Sequence, residues 1–128
     1  MARTRPLPDD KANRMRAEKA GRRAERLCVF WLRLKGYRIL ATRHKSPVGE
    51  IDIIAKRGNV LVAVEVKNRI DRDTALYAVS AKQQNRIARA LDGFAGRAGH
   101  TGDLRLDLMI VHDRIKISHI TDAWRPRP

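Results

Sequence analysis

Asp52, Glu65 and Lys67 are two acids and a base carried on neighbouring apolar segments of a 128-residue chain. Asp52 lies in Gly49-Glu50-Ile51-Asp52-Ile53-Ile54-Ala55, and the other two lie in Val60 to Lys67, ending Val64-Glu65-Val66-Lys67. Both segments are rich in β-branched apolar residues and read as strands. Strand alternation sets Glu65 and Lys67 side by side on one face, with Val64 and Val66 on the other. Between the segments, Arg57-Gly58-Asn59 is a hairpin signal. An even-length loop makes the numbers of facing residues sum to 117 and sets Asp52 opposite Glu65. An odd loop sends the two acids to opposite faces.

Two carboxylates facing each other repel, and a sheet gains nothing from them unless a cation sits between. Their oxygens are hard ligands of the kind magnesium or manganese takes while keeping waters on its open positions. Water on such an ion is acidic enough to attack a phosphodiester near neutral pH. Lys67, one pleat along from Glu65, is placed to orient that water or to offset charge in the transition state. The alternative is a solvated, self-paired sheet face. Asp9-Asp10-Lys11 has the same acid-x-Lys spacing near the N-terminus, so spacing alone leaves both readings open.

The elements that position these residues follow from periodicity. Ala20, Ala24, Leu27, Trp31 and Leu34 recur as one face of a helix from about Ala17, which Gly36 stops. Trp31 is expected in the core. Tyr37 to Ala41 reads as a short strand and Ser46-Pro47 as a turn, followed by the hairpin strands from Gly49 and Val60 and a loop at Asp71 to Asp73. Ser80 with Gln83 forms a capping-box signal for a second helix through Ile87, Leu91 and Phe94, with Lys82, Arg86 and Arg89 on its outer face. Leu104, Leu106, Leu108 and Ile110 alternate as a fourth strand, and Ile115, Ile117 and Ile120 suggest a fifth. The expected architecture is mixed α+β, one α/β domain over residues 17–125 with a mixed sheet flanked by helices, preceded by a flexible basic tail over residues 1–16.

Charge narrows the partners. The chain carries 28 Lys and Arg against 14 Asp and Glu, a formal +14. Residues 1–45 hold 14 basic and 4 acidic residues, so most of the excess is at the front. Such a chain is drawn to polyanions, nucleic acid first. No segment approaches the roughly 20 apolar residues of a spanning helix, so no membrane partner is expected. The lone Cys28 excludes an intrachain disulfide and makes a cytoplasmic setting the default. His44, His100, His112 and His119 are scattered without zinc-ligand spacing, and Gly96 to Gly102 lacks the Lys-Ser/Thr of a phosphate loop. Trp124 is expected to dock on the domain.

Gly49 to Ala55 together with Val64-Glu65-Val66-Lys67-Asn68-Arg69 closely resembles the GEIDLIA…VEVK-x-R signature of the YraN-like uncharacterised bacterial proteins, placed in the PD-(D/E)xK nuclease superfamily near archaeal Holliday junction resolvases. Gly21, Glu25, Cys28, Trp31, Leu32, Gly36 and Tyr37 resemble that family's first-helix pattern, and Arg105-Leu106-Asp107 its R-F-D. The resemblance implies a restriction-endonuclease-like core. It makes Glu25, Asp52, Glu65 and Lys67 the catalytic set, with the Val66 carbonyl joining Asp52 and Glu65 as metal ligands. Glu25 would be an accessory acid, or else only a helix-surface partner of Arg22. Arg22, Arg43, Lys45, Arg69, Lys82 and Arg86 are the candidate nucleic-acid contacts. The chain departs from the family pattern at Arg43-His44-Lys45, at Asp73 in place of a loop glycine and at Gln83 in place of a helix lysine, where capping is the expected role.

The leading expectation is therefore a metal-dependent endonuclease acting on DNA, branched or structured, with magnesium or manganese as cofactor. A non-catalytic nucleic-acid-binding module of the same fold is the alternative, and an adaptor whose basic face engages protein is the third. Resolvase relatives dimerise, which makes a homodimer the expected assembly.

Overall fold

The computed structural model describes residues 8–69 and 79–125. Among them, five strands form one mixed sheet in the order β1-β2-β3-β4-β5. The strands are β1 (Arg38–Ser46), β2 (Gly49–Arg57), β3 (Val60–Asn68), β4 (Asp103–His112) and β5 (Lys116–Ile120). Helix α1 (Pro8–Leu34) packs on one face and helix α2 (Ala81–Ala98) on the other. The first three strands are an antiparallel meander, β4 returns parallel to β3 after α2, and β5 closes the edge antiparallel to β4. This is the mixed α+β architecture read from the sequence, and it is consistent with a restriction-endonuclease-like core.

Helix α1 starts at Pro8 rather than near Ala17, so residues 8–16 are helix and not the expected tail. Proline at a first helical position has its φ preset for the turn, and Asp10 near the N-terminus complements the helix dipole. Residues 10–19 stay almost entirely exposed. The tail's first seven residues, the loop at Asp71 to Asp73 and the last three residues lie outside the described residues.

The helix buries Ala24, Cys28 and Leu32 against the sheet, a stripe rotated from the expected one. Small side chains at 24 and 28 let the helix approach closely, which turns Trp31 and Leu34 outward, at 42% and 64% exposure. Trp31 is thus a surface residue and not core. Its helix sits over Ile53, Ala55, Val62, Val64, Met109 and Val111. Helix α2 covers Ile51, Ile54, Leu61, Ala63 and Leu106 with Ile87, Ala90, Leu91 and Ala95, and Trp124 docks partly buried on that side. Ser80 caps α2 by accepting from the Gln83 N–H at 3.1 Å, and Gly99 ends it in the left-handed conformation at φ 67°.

The β2–β3 hairpin turns on Gly58-Asn59, with Gly58 at φ 57°, and Arg57–Val60 to Ile53–Val64 pair in the even register. Its tip is locked by β4. A Cβ on Gly102 would lie 2.0 Å from the Asn59 carbonyl oxygen, an approach no packing permits. Gly102→Ala must therefore push the hairpin away from the start of β4, and the variant is expected to lose about 1–3 kcal/mol. A lower urea midpoint at unchanged slope is the readout; a wild-type midpoint would contradict the tight contact.

Candidate active site

The sheet places Asp52, Glu65 and Lys67 where the hairpin strands stop pairing. The last pair between β2 and β3 is Ile53–Val64. One step beyond, the Val66 N–H donates to Asp52 Oδ2 at 2.8 Å, so a side chain takes over from the backbone ladder. That bond fixes Asp52 between the ends of the two strands. Glu65 is buried, at 5% exposure. Lys67 Nζ stands 3.3 Å from Glu65 Oε1. Asp52 and Glu65 are neighbours, but not as the facing ladder pair the even register implies: pairing stops one step short, and Asp52 turns to the Val66 N–H.

Helix α2 adds a residue whose expected work was capping. The Gln83 backbone does take the cap, while its side-chain Nε2 donates to Glu65 Oε1 at 3.2 Å. The reciprocal half of a capping box is given up for a contact with the acid. A side chain only three residues into a helix carries no sequence signal for this, because it depends on where α2 crosses β3.

Glu25 arrives from α1. Its carboxyl is raised above its ordinary value by burial and by the neighbouring Asp52, an effect Arg43 opposes. Arg43 Nε lies 3.5 Å from Glu25 Oε2. Arg43 sits between the Thr42–Ile53 and His44–Ile51 pairs and has φ 50°, a left-handed backbone that costs a non-glycine residue roughly 1–2 kcal/mol. Strain of this kind is held in place by its surroundings, and here the ion pair with Glu25 is the visible return. Glu25 therefore belongs to the same cluster and is more than a partner for Arg22.

The electrostatics are those of crowded acids. Burial raises the Glu65 carboxyl to about 7, with Asp52 adding repulsion and Lys67 opposing it. Burial raises Asp52 as well, against the Val66 N–H and Lys67. Cys28, under the same acids, is pushed up to about 12, chiefly by burial, and is a neutral core thiol. A buried and a half-buried carboxylate with one lysine against Glu65 are left short of positive charge, and a divalent cation of the magnesium or manganese type fits that deficit. Among the described residues, no three His, Cys, Asp or Glu side chains converge tightly enough to hold a metal. An ion here would rest on Asp52, Glu65, a backbone oxygen and water, with Glu25 held back by Arg43.

The candidate nucleic-acid contacts are spread over several elements. Arg22 and Arg43 line a groove between α1 and β1 that also contains Glu25. Lys45 and Arg86 line a second recess, at the β1–β2 turn beside Glu50. Arg69 follows β3, its Nη1 donating to the Asn68 carbonyl at 2.9 Å, and Lys82 is exposed on the first turn of α2. Sequence reasoning missed Arg26, Phe30 and Arg33, which share the groove with Arg22. Their helical spacing was the available signal.

A separate polar cluster lies on the α1 side of β4. Asp107, fully buried, accepts from Arg105 Nε and Nη2, from His119 Nε2 at 2.8 Å and from the Asp122 N–H. Arg105 also donates to the Tyr37 hydroxyl. Lys35 Nζ is 3.0 Å from His119 Nδ1, which leaves Nε2 to carry the hydrogen towards Asp107. This network ties the end of α1, β4, β5 and the turn after β5 together.

Comparison with known proteins agrees with the resemblance carried by the motifs. Residues 24–111 match the model of the Uncharacterised protein family UPF0102. A UPF0102 protein of Parvibaculum lavamentivorans is 45% identical over 117 residues, covering 90% of this chain and 88% of the relative. One of Caulobacter vibrioides is 46% identical over 110 residues, covering 84% and 88%, and one of Caulobacter sp. (strain K31) is 40% identical over 131 residues, covering 97% and 94%. With a family model matching well over half its length and relatives of this identity, the chain belongs to the UPF0102 family.

Proposed function

We propose that this protein is a metal-dependent endonuclease that binds DNA and hydrolyses its phosphodiester bonds. The observation that carries the reading is the convergence of Asp52, Glu65 and Lys67 at the unpaired end of the β2–β3 ladder, with both acids raised by burial and Glu65 raised further by the charge of Asp52. A surface salt bridge would not bury its acids against each other at such cost. The chain's +14 gathers the polyanion, and the acids lie among its cations.

The division of labour follows from positions. Asp52 and Glu65, with the Val66 carbonyl, would hold magnesium or manganese. Bound there, the ion supplies an acidified water and offsets charge on the phosphoryl oxygen. Lys67 stands beside Glu65 to orient the attacking water and to stabilise the developing negative charge. Gln83 fixes the rotamer of Glu65, and Glu25, held by Arg43, serves as the accessory acid for water. The lone buried thiol fits a reducing, cytoplasmic setting.

Incubating the protein with magnesium or manganese and a panel of branched, single-stranded and duplex DNA tests this reading, and metal-dependent strand cleavage is expected. Salt-sensitive binding without cleavage across the panel would replace it with the non-catalytic binding module. Metal affinity provides a second check. Glu65 must lose its proton to ligate, so affinity rises with pH up to about 7 and flattens above. Manganese titration at pH 5.5 is expected to give a dissociation constant about tenfold or more weaker than at pH 7.5. The same raised carboxyl favours the metal-free fold below about pH 4.5, and that contribution is lost as pH rises through about 7. Equal affinity at both pH values would contradict ligation by Glu65.

A further inference from the structure

The groove between α1 and β1 has a volume of about 380 Å³ and is lined by Arg22, Arg26, Arg33 and Arg43 together with Phe30 and Glu25. Among the described residues, Arg22, Arg26 and Arg33 form no ion pair. From Arg22 to Arg33 the helix runs about 16 Å, so the cations form a track rather than a point. Phe30 is 60% exposed in the middle of that track. An exposed aromatic ring among arginines has no use in a folded core and carries a cost in water.

We infer that this groove seats an unpaired nucleic-acid strand, with the arginines on its phosphates and a base stacked on Phe30, and that it delivers that strand to Glu25. Cation tracks interleaved with aromatic rings are how single strands are held. Duplex DNA offers such a ring no base face, because its bases are stacked on one another. A second copy of the chain is a poorer occupant, since a symmetric interface would set four arginines against the same four. The inference rests on the reading of Glu25 as part of a phosphodiester-cleaving site, and it names the substrate class of that site as one with a single-stranded segment.

The test is binding by the full chain with metal chelated, so that cleavage plays no part. Fluorescence anisotropy is measured with a labelled 12-nucleotide oligothymidylate and with a blunt 12-base-pair duplex. Phe30→Leu keeps an apolar side chain at an exposed position and removes the ring. It is expected to weaken oligothymidylate binding about fivefold or more, with duplex binding held within about twofold and Phe30→Tyr restoring the wild-type value. Arg26→Ala with Arg33→Ala is expected to weaken binding and flatten its salt dependence. Unchanged oligothymidylate binding by Phe30→Leu would overturn the inference, as would equal losses on strand and duplex. So would a shift from dimer to monomer in sedimentation with binding intact, which would make Phe30 part of a protein interface. If the wild-type chain cuts nothing with metal yet binds strands through Phe30, the nuclease reading falls and the strand groove stands.

Discussion

Replacing Lys67 with alanine is expected to lower metal-dependent cleavage by about 10²–10³-fold while leaving the fold intact, because among the described residues its ammonium is the one basic group set directly against the buried Glu65. Its side chain keeps 15% exposure at the strand end, so truncation opens no sealed cavity. Asp52→Asn separates chemistry from structure more sharply. Asparagine still accepts the Val66 N–H, which preserves the strand junction, but it removes the charge that repels Glu65. Activity is expected to vanish while metal-free stability stays level or rises. A structural salt bridge predicts the reverse, with loss of stability on removing the charge. Chemical denaturation and single-turnover cleavage on the same preparations decide between them, and a Lys67→Ala protein that still cuts at the wild-type rate would remove Lys67 from the chemistry.

Asp107→Ala is expected to cost about 3–5 kcal/mol, more than Gly102→Ala. It strips the only carboxylate from a fully buried position where two side chains and one backbone N–H converge. His119, its side chain 5% exposed, then stays desolvated without its acceptor, the Asp122 N–H loses its partner, and Arg105 keeps only the Tyr37 hydroxyl. Burial alone would raise the Asp107 carboxyl, yet bonds from His119, Arg105 and the Asp122 N–H hold it below its ordinary value. Its contribution is therefore complete above the unfolded value of about 4 and is lost as pH falls below it. Urea unfolding of wild type and variant at pH 7 and at acid pH measures both effects. The gap between the two proteins should narrow on acidification, and a gap independent of pH would show that the charge is not what holds the network.

The local part of the fold was legible because hairpin register is a local problem. Gly58-Asn59 marked the turn but left even and odd loops open; the structure takes the even one, and Asp52 and Glu65 come to the same strand ends. The Ser80 cap and the alternation of Leu106 to Ile110 were legible for the same reason. Periodicity could not choose between neighbouring stripes of α1, where Cys28 and Leu32 compete with Trp31 and Leu34 for the sheet. Close packing through Ala24 and Cys28 settled it against the bulkier residues. The start of α1 was missed because residues 8–16 carry almost no large apolar residues to mark a helical face, although Pro8 at a first helical position is compatible with the turn. Non-local geometry accounts for the rest. Arg43 reaches Glu25 through a left-handed residue in β1, Gln83 reaches Glu65 across the α2–β3 contact, and Asp107 gathers donors from β4, β5 and the turn beyond. None of these pairings has a spacing that a sequence reveals.

The site as a whole couples a deficit to an excess. Acids are crowded at a strand end where, among the described residues, Lys67 and Arg43 oppose them, within a chain whose overall balance is +14. The cations gather along α1, at the β1–β2 turn and after β3, each group with an acid beside it: Glu25, Glu50 and Asp113. On the proposed function, that arrangement would attract a phosphate backbone and seat a cation beneath it.

The most direct measurement is single-turnover cleavage of end-labelled DNA carrying a single-stranded flap or branch, by the full chain in manganese and again after chelation. The expected result is strand scission that requires the metal, stops on chelation and is absent from Asp52→Asn. Folded protein that binds the same DNA and leaves it intact in both magnesium and manganese would contradict phosphodiester hydrolysis at Asp52, Glu65 and Lys67.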